Sequence, residues 1–419
     1  MKEKKSLMDK LIGFVENTLS PPLTKLANQH HLSATKDGMM VTVPLTIIGS
    51  MFVLIANFPI DAWRTFIAPF SPMLGTMSAV TIGIVAIVGA GSVAYYFALG
   101  YKDKRINPVV ASFISIAGFL LATLNEDLGI NPSLFGTRGL FTAIIIAFVT
   151  GSIYSLFIKK NWVIKFPDNV PPLVSSSFSS LIPAAVSLIL IWIVRVVIGF
   201  DINSGLMSIF SPFVFALNSL LGYLVFMFIR SMLWSVGIHG GAVLAVADPF
   251  FLTMFGENML AFEAGEALPY ITAAGFTMFV FIGGGGATLG LVIMMIFSKD
   301  AGFRTLGKLA LPASIFAINE PVVFGVPLVM NPLMIIPYTL STLVLSAGTY
   351  IVMYFNLIGR PVAQIPWTTP PLLSHYLVTG GDWRAVIWGV ICIALSSIIY
   401  YPFFKTMEKN RLKGSEASQ

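Results

Sequence analysis

Charge is scarce in this chain. Asp, Glu, Lys and Arg make up only 11% of its 419 residues, where a soluble globular protein carries about a quarter. With 56% hydrophobic residues and a mean hydropathy of +0.85, the sequence cannot cover a water-facing surface and reads as an all-α polytopic membrane protein. Cysteine is nearly missing too. The single Cys392 excludes an internal disulfide, no Cys/His spacing suggests a metal centre, and its apolar run (Ala385 to Tyr400) makes it a small hydrophobe facing lipid or core. A nucleotide-cradling loop is also absent: "GGGGATLG" at Gly283–Gly290 lacks the Lys-Ser/Thr that phosphate binding requires. Those glycines read as a packing or hinge element, which argues against an ATP-driven pump. No metal and no cofactor are expected.

The charge that remains is sorted by sign. The formal net charge of +6 does not point to nucleic acid, because Lys and Arg sit in short loops between apolar runs: Lys102 to Arg105, Lys159-Lys160, Lys299 to Lys308, and the tail from Lys405 to Lys413. Loops assigned to the opposite side are acidic, as in Asn125-Glu126-Asp127 and the segment holding Glu257, Glu263 and Glu266. This is the positive-inside pattern, and it puts both termini in the cytoplasm.

Residues 1–37 are no signal peptide: charges run throughout and Pro21-Pro22 falls where an apolar core would end. Leu7, Leu11, Val15 and Leu19 recur at helical spacing, as in an interfacial amphipathic helix. Apolar runs follow at about Gly38–Ile60, Met77–Tyr101, Ile106–Leu124, Arg138–Ile158 and Leu181–Phe200, with small-residue stretches such as Gly89-Ala90-Gly91-Ser92 suited to close helix approach. Asn161 to Ser180 is an interfacial connector. Arg195, near the end of its run, reads as a structural residue able to snorkel.

The second half is less regular. Pro212–Ile229 reads as a plain span and Met232–Phe251 as a crossing or a re-entrant segment. Tyr270–Phe297 carries the four glycines, Leu309–Pro327 is broken by three prolines, and Pro332–Tyr354 and Arg384–Phe404 span. About ten transmembrane helices result, with re-entrant hairpins and interfacial helices added. The expected divisions are 1–37 (cytoplasmic amphipathic segment), 38–200 (N-terminal membrane half), 201–404 (C-terminal membrane half) and 405–419 (cytoplasmic tail).

Interrupted segments mark a transport site, and two of them carry ionisable groups. Glu320, in Asn319-Glu320-Pro321, lies in an apolar stretch where a carboxylate costs roughly 2.5–3.5 kcal/mol, and Pro321 is expected to push it out of helical geometry. His239 lies in "SVGIHGG", where Gly237, Gly240 and Gly241 clear space for a ligand. A carboxylate and an imidazole bind hydroxyls, and a buried carboxylate has the raised pKa of a general base. Trp367, in "IPWTTPP", offers a flat apolar face to a sugar ring or anchors the interface; Trp234 has the same two readings. The pair Glu320 and His239 also fits a proton relay in a proton-coupled secondary sugar transporter.

The segments "HLSATKDGMM", "WSVGIHGG", "INEPVVFGVPLVMNP" and "PWTTPPLLSHYLVTGGDWR" together resemble the membrane-embedded C component of a bacterial phosphoenolpyruvate-dependent sugar phosphotransferase system, in its lactose/cellobiose/diacetylchitobiose branch. The resemblance covers nearly the whole chain. It implies a homodimer formed through the N-terminal half, and a C-terminal half that binds a β-linked disaccharide and carries it inward by an elevator-like shift. Glu320 and His239 would contact the sugar hydroxyl to be phosphorylated, Asn319 would support Glu320, Gly240 and Trp234 would line the site, and Trp367 would stack on a ring. Phosphate would come from the cysteine of a cytoplasmic B component, charged in turn by an A component. The chain would then be a subunit of a transferase complex with no phosphocysteine or phosphohistidine of its own. With no B domain after the last span, a cellobiose- or diacetylchitobiose-type component is expected.

Overall fold

The computed structural model describes residues 29–416 except 59, 165–177, 236–239, 327, 329 and 330. The amphipathic leader and most of the connector therefore lie outside the described residues. Among the described residues the regular elements are all helices. Five helices among the described residues are long and apolar enough to cross a membrane: His30–Ala56, Asp61–Leu99, Thr137–Lys159, Leu333–Tyr354 and Trp383–Lys413. Leu181–Val197 and Ile202–Asn218 add a pair bent by 89°, and Pro108–Ala122 and Leu220–Trp234 are shorter apolar helices. The chain is a multi-pass membrane protein.

Side chains already visible in the sequence start these helices. Asn107 accepts the Val109 N–H (2.9 Å) ahead of Pro108, Asp201 accepts the Ser204 N–H (3.0 Å), Asp300 the Phe303 N–H (2.7 Å), and Asn331 the Leu333 N–H (3.1 Å). Each satisfies a backbone donor that a helix start leaves orphaned. In the first half Val85–Leu99 is the central helix, packed on His30–Met40, Pro108–Ala122 and Leu140–Lys159. Gly38 lets two helices touch: a Cβ there would lie 2.6 Å from the Val93 Cα. Ser92 donates to the Gly38 carbonyl (2.8 Å) and Ser115 to the Ala90 carbonyl (2.8 Å), so hydroxyls join helices where apolar contact alone gains little over lipid.

Arg195 is structural but does not snorkel. It is buried in a π-helical turn (Ile193–Val197), where its guanidinium donates to the Leu124 carbonyl (2.6 Å) and the Asn125 carbonyl (3.1 Å). Those carbonyls lie in the loop just after the helix Pro108–Ala122 and supply the partners that make burial tolerable. Cys392 is fully buried in the core.

The second half departs further from a simple hydropathy reading. The expected span Pro212–Ile229 is two helices, Ile202–Asn218 and Leu220–Ser235, broken at Ser219. The break frees the Asn218 side chain to accept the Ile271 N–H (2.9 Å) and the Thr272 N–H (3.2 Å) of a distant loop. The run Met232–Phe251 is likewise split between Leu220–Ser235 and Gly240–Ala264. Tyr270–Phe297 is irregular backbone that ends in a short helix, Leu289–Ile296, because Gly275, Gly283, Gly284 and Gly286 all hold positive φ.

Candidate functional site

A hairpin of two helices, Leu289–Ile296 and Ala301–Ile315, carries both halves of the site. At its turn, Glu408 of the last helix accepts hydrogen bonds from the Ser298 hydroxyl (2.5 Å) and the Lys299 N–H (2.7 Å). At its open end, the glycine loop before Leu289 meets the segment after Ile315. The Asn319 amide donates to the Gly285 carbonyl (2.8 Å) and contacts the Thr288 hydroxyl (3.2 Å). Thr288 in turn donates to the Gly283 carbonyl (2.7 Å), and Ser341 and Tyr400 both donate to the Gly286 carbonyl (2.6 and 2.9 Å). The loop is irregular backbone whose carbonyls are met from three other elements, which is how such backbone survives within a membrane protein. The glycines are required: Gly284 has φ +104° and a Cβ there would lie 2.5 Å from the Asn319 Cγ, while at Gly286 it would enter the Tyr338 ring.

Glu320 differs from its sequence reading in two respects. The helix break falls at Phe316–Asn319, with Ala317 at φ +59°, and Glu320 opens a short helix, Glu320–Gly325. Pro321 fits its first turn, where a missing N–H costs nothing. The carboxylate is also exposed, because it faces an open cavity. A general-base role for Glu320 therefore draws nothing from burial.

That cavity has a volume of about 750 Å³, within the range of small-molecule sites. Asn319, Glu320, Trp234 and Trp367 all line it, together with Met40, Val43 and Ile47 from the first half. Trp367 stands 64% exposed, and Trp234 stacks on Tyr338 with ring centroids 4.1 Å apart and planes 5° from parallel. Stacking fixes the Trp234 indole as a flat apolar wall. Gly240 begins the helix Gly240–Ala264, and His239 lies outside the described residues.

The loop from Thr272 to Phe281 also lines the cavity. Asn218 holds its start, and Asn258 exchanges hydrogen bonds with Tyr270 (2.8 and 2.7 Å) and donates to the Pro361 carbonyl (3.0 Å). Further along, the His375 Nε2–H donates to the Met278 carbonyl (3.1 Å) while its ring stacks on Phe279 at 4.4 Å. His375 is a fully buried support behind the cavity.

Several polar residues of the lining went unread in the sequence. Arg230, just past the expected span Pro212–Ile229, is buried at the cavity wall with its Nε and Nη1 unpartnered and its guanidinium 4.0 Å above the Phe281 ring. Asp248, Gln364 and Thr272 also line the cavity. Arg230 precedes Trp234 by one helical turn, and that i,i+4 spacing was the available signal. Apolar walls with a few convergent polar groups and two indoles suit a neutral polyhydroxyl ligand such as a sugar.

The family model described as "Phosphotransferase system, EIIC" matches residues 36–342. The lichenan permease IIC component of Bacillus subtilis is 38% identical across 97% of this chain and 95% of its own length. The cellobiose-specific EIIC component of Geobacillus stearothermophilus is 36% identical across 98% and 97%. The crystal structure of ChbC, the IIC component from the N,N'-diacetylchitobiose-specific phosphotransferase system, superposes with a TM-score of 0.91 at 34% identity, covering 96% of this chain and 99% of that one. With sequence and fold matched along nearly its whole length, this chain belongs to the EIIC family of membrane permeases of the phosphotransferase system.

Proposed function

We propose that the chain imports a β-linked disaccharide of the cellobiose or diacetylchitobiose type and presents it for phosphorylation by a cytoplasmic B component. The observation that carries this reading is the cavity itself: a carboxylate, an anchored amide and two indoles around about 750 Å³, at a helix break inside a membrane permease. The relatives named for cellobiose and diacetylchitobiose support the sugar class.

In this reading Glu320 and His239 bind the reacting hydroxyl, Asn319 sets the backbone that carries Glu320, Gly240 leaves room beside His239, and Trp367 and Trp234 face the sugar rings. The hydroxyl oxygen attacks the phosphorus of the partner's phosphocysteine. The P–O bond forms as the S–P bond breaks, the thiolate leaves, and the hydroxyl proton passes to the Glu320 carboxylate. The chain contributes positioning, which can supply a large part of such a rate enhancement. The N-terminal half forms the interface of a homodimer, the C-terminal half shifts with its sugar by an elevator-like movement, and both termini are cytoplasmic.

Uptake of radiolabelled cellobiose and diacetylchitobiose into proteoliposomes, with and without enclosed phosphorylated B component, tests this reading. Phosphorylated sugar should accumulate only with that component. Free sugar accumulating on a proton gradient would replace this reading with proton-coupled transport.

A further inference from the structure

Arg230 is a cation without a counter-charge. It is 6% exposed, its Nε and Nη1 have no hydrogen-bond partner, and no carboxylate among the described residues forms an ion pair with it. Its polar neighbours Tyr223 and Tyr338 are phenols, neutral at physiological pH. The Phe281 face gives a cation–π contact but accepts no hydrogen bond along the guanidinium edge. Leaving such a group buried and unmatched is costly, so its partner is expected to arrive with a ligand.

Its position narrows that ligand. A Cβ on Gly285 would lie 3.8 Å from the Arg230 Nη2, and the Gly285 carbonyl is the one that anchors Asn319 beside Glu320. Arg230 and the Asn319-Glu320 pair therefore flank one glycine of the loop. A free disaccharide has no charge to offer the guanidinium, whereas its phosphate ester does, and the guanidinium fork matches phosphate oxygens. Glu320 lines the same cavity and its carboxylate would repel that ester, so an anionic product held there needs a cation.

We infer that Arg230 binds the phosphoryl group of the phosphorylated disaccharide, holding the product in the cavity against the repulsion of Glu320. The inference rests on the reading of the chain as the sugar-presenting component, and names which ligand state this residue distinguishes.

The test is equilibrium binding of cellobiose and of phosphorylated cellobiose to the full-length protein in nanodiscs, for wild type, Arg230→Gln and Arg230→Lys. Wild type should bind the phosphate at least as tightly as the free sugar. Arg230→Gln should weaken the phosphate roughly 10–100-fold more than the free sugar, and Arg230→Lys, which keeps charge without the fork, should fall between. Equal weakening of both ligands, or unchanged phosphate binding, overturns the inference. So does a wild type that binds cellobiose but disfavours its phosphate tenfold, an outcome that stands even where Arg230→Gln fails to fold. A wild type that binds neither ligand overturns the functional reading itself.

Discussion

The two halves of this molecule solve the same problem, backbone and polar groups inside a membrane, in opposite ways. In the first half, helices such as Val85–Leu99 and Leu140–Lys159 bond their own backbone, and Ser92 and Ser115 find acceptors on neighbouring helices. In the second half the backbone leaves helical geometry at Gly275, Gly283, Gly284, Gly286 and Ala317. Among the described residues, the buried polar side-chain atoms without a partner all lie in the second half except the His30 Nε2, and those of Tyr223, Arg230, Tyr338, Gln364 and His375 surround or back the cavity. Unsatisfied groups concentrated in one region are what a site awaiting a ligand leaves behind, while the satisfied region acts as its support.

The contrast can be broken most sharply at Glu320. Glu320→Ala should reduce phosphorylated-sugar uptake at least about 100-fold, and Glu320→Gln should slow phosphorylation by about two orders of magnitude while changing cellobiose affinity far less. A Gln variant that keeps both affinity and rate removes the base role.

Glycines separate the halves by the kind of damage they report. Gly284→Ala, which forces a left-handed φ on alanine and strikes Asn319, should weaken sugar binding about tenfold or more. Gly38→Ala, which drives a methyl into the Val93 backbone, should instead lower the melting temperature while the folded fraction keeps its affinity. The reverse pattern would mean that the glycine loop serves only packing.

A smaller effect is expected at the indoles. Trp367→Ala should cost roughly tenfold in cellobiose affinity by isothermal titration, from the loss of an aromatic face. Trp162→Ala, an exposed indole of the first half, should change nothing measurable.

The smallest effect lies outside the membrane. Burial opposes ionisation of Asp382, but the Arg384 guanidinium (2.9 Å) and the Gly359 and Arg384 N–H groups hold its carboxyl below the usual carboxylate range. A depressed pKa contributes stability that is present above about pH 4 and is lost as pH falls through the folded value. Asp382→Asn should melt about 1–2 °C lower at pH 7, with the difference from wild type shrinking in thermal scans below pH 4.

The same contrast governs how much could be read from the sequence. Regular spans announce themselves by hydropathy, so the runs Ile106–Leu124, Arg138–Ile158 and Leu181–Phe200 match helices to within a few residues, while the first begins earlier, at His30, and Met77–Tyr101 falls across the turn Ile82–Ile84 between two helices. The site signalled itself through rule-breaking residues: Asn319-Glu320-Pro321, four consecutive glycines, and a tryptophan among prolines. The depth and facing of a side chain were not legible, because they depend on how distant segments pack. The apolar stretch around Glu320 predicts a buried carboxylate, which instead faces a cavity, and Arg230, the residue after the expected span Pro212–Ile229, lines it. Ser219 broke a span for a reason held elsewhere, the loop at Ile271 and Thr272 that needs the Asn218 oxygen.

An experimental structure with cellobiose bound would test most directly the central claim, that the irregular half holds the sugar. The account predicts sugar in the cavity of about 750 Å³, with a hydroxyl on the Glu320 carboxylate and a ring against Trp367. Sugar seated instead in the smaller cavity of about 400 Å³ beside Asn57, Ser78 and Glu263, with Glu320 untouched, would contradict it.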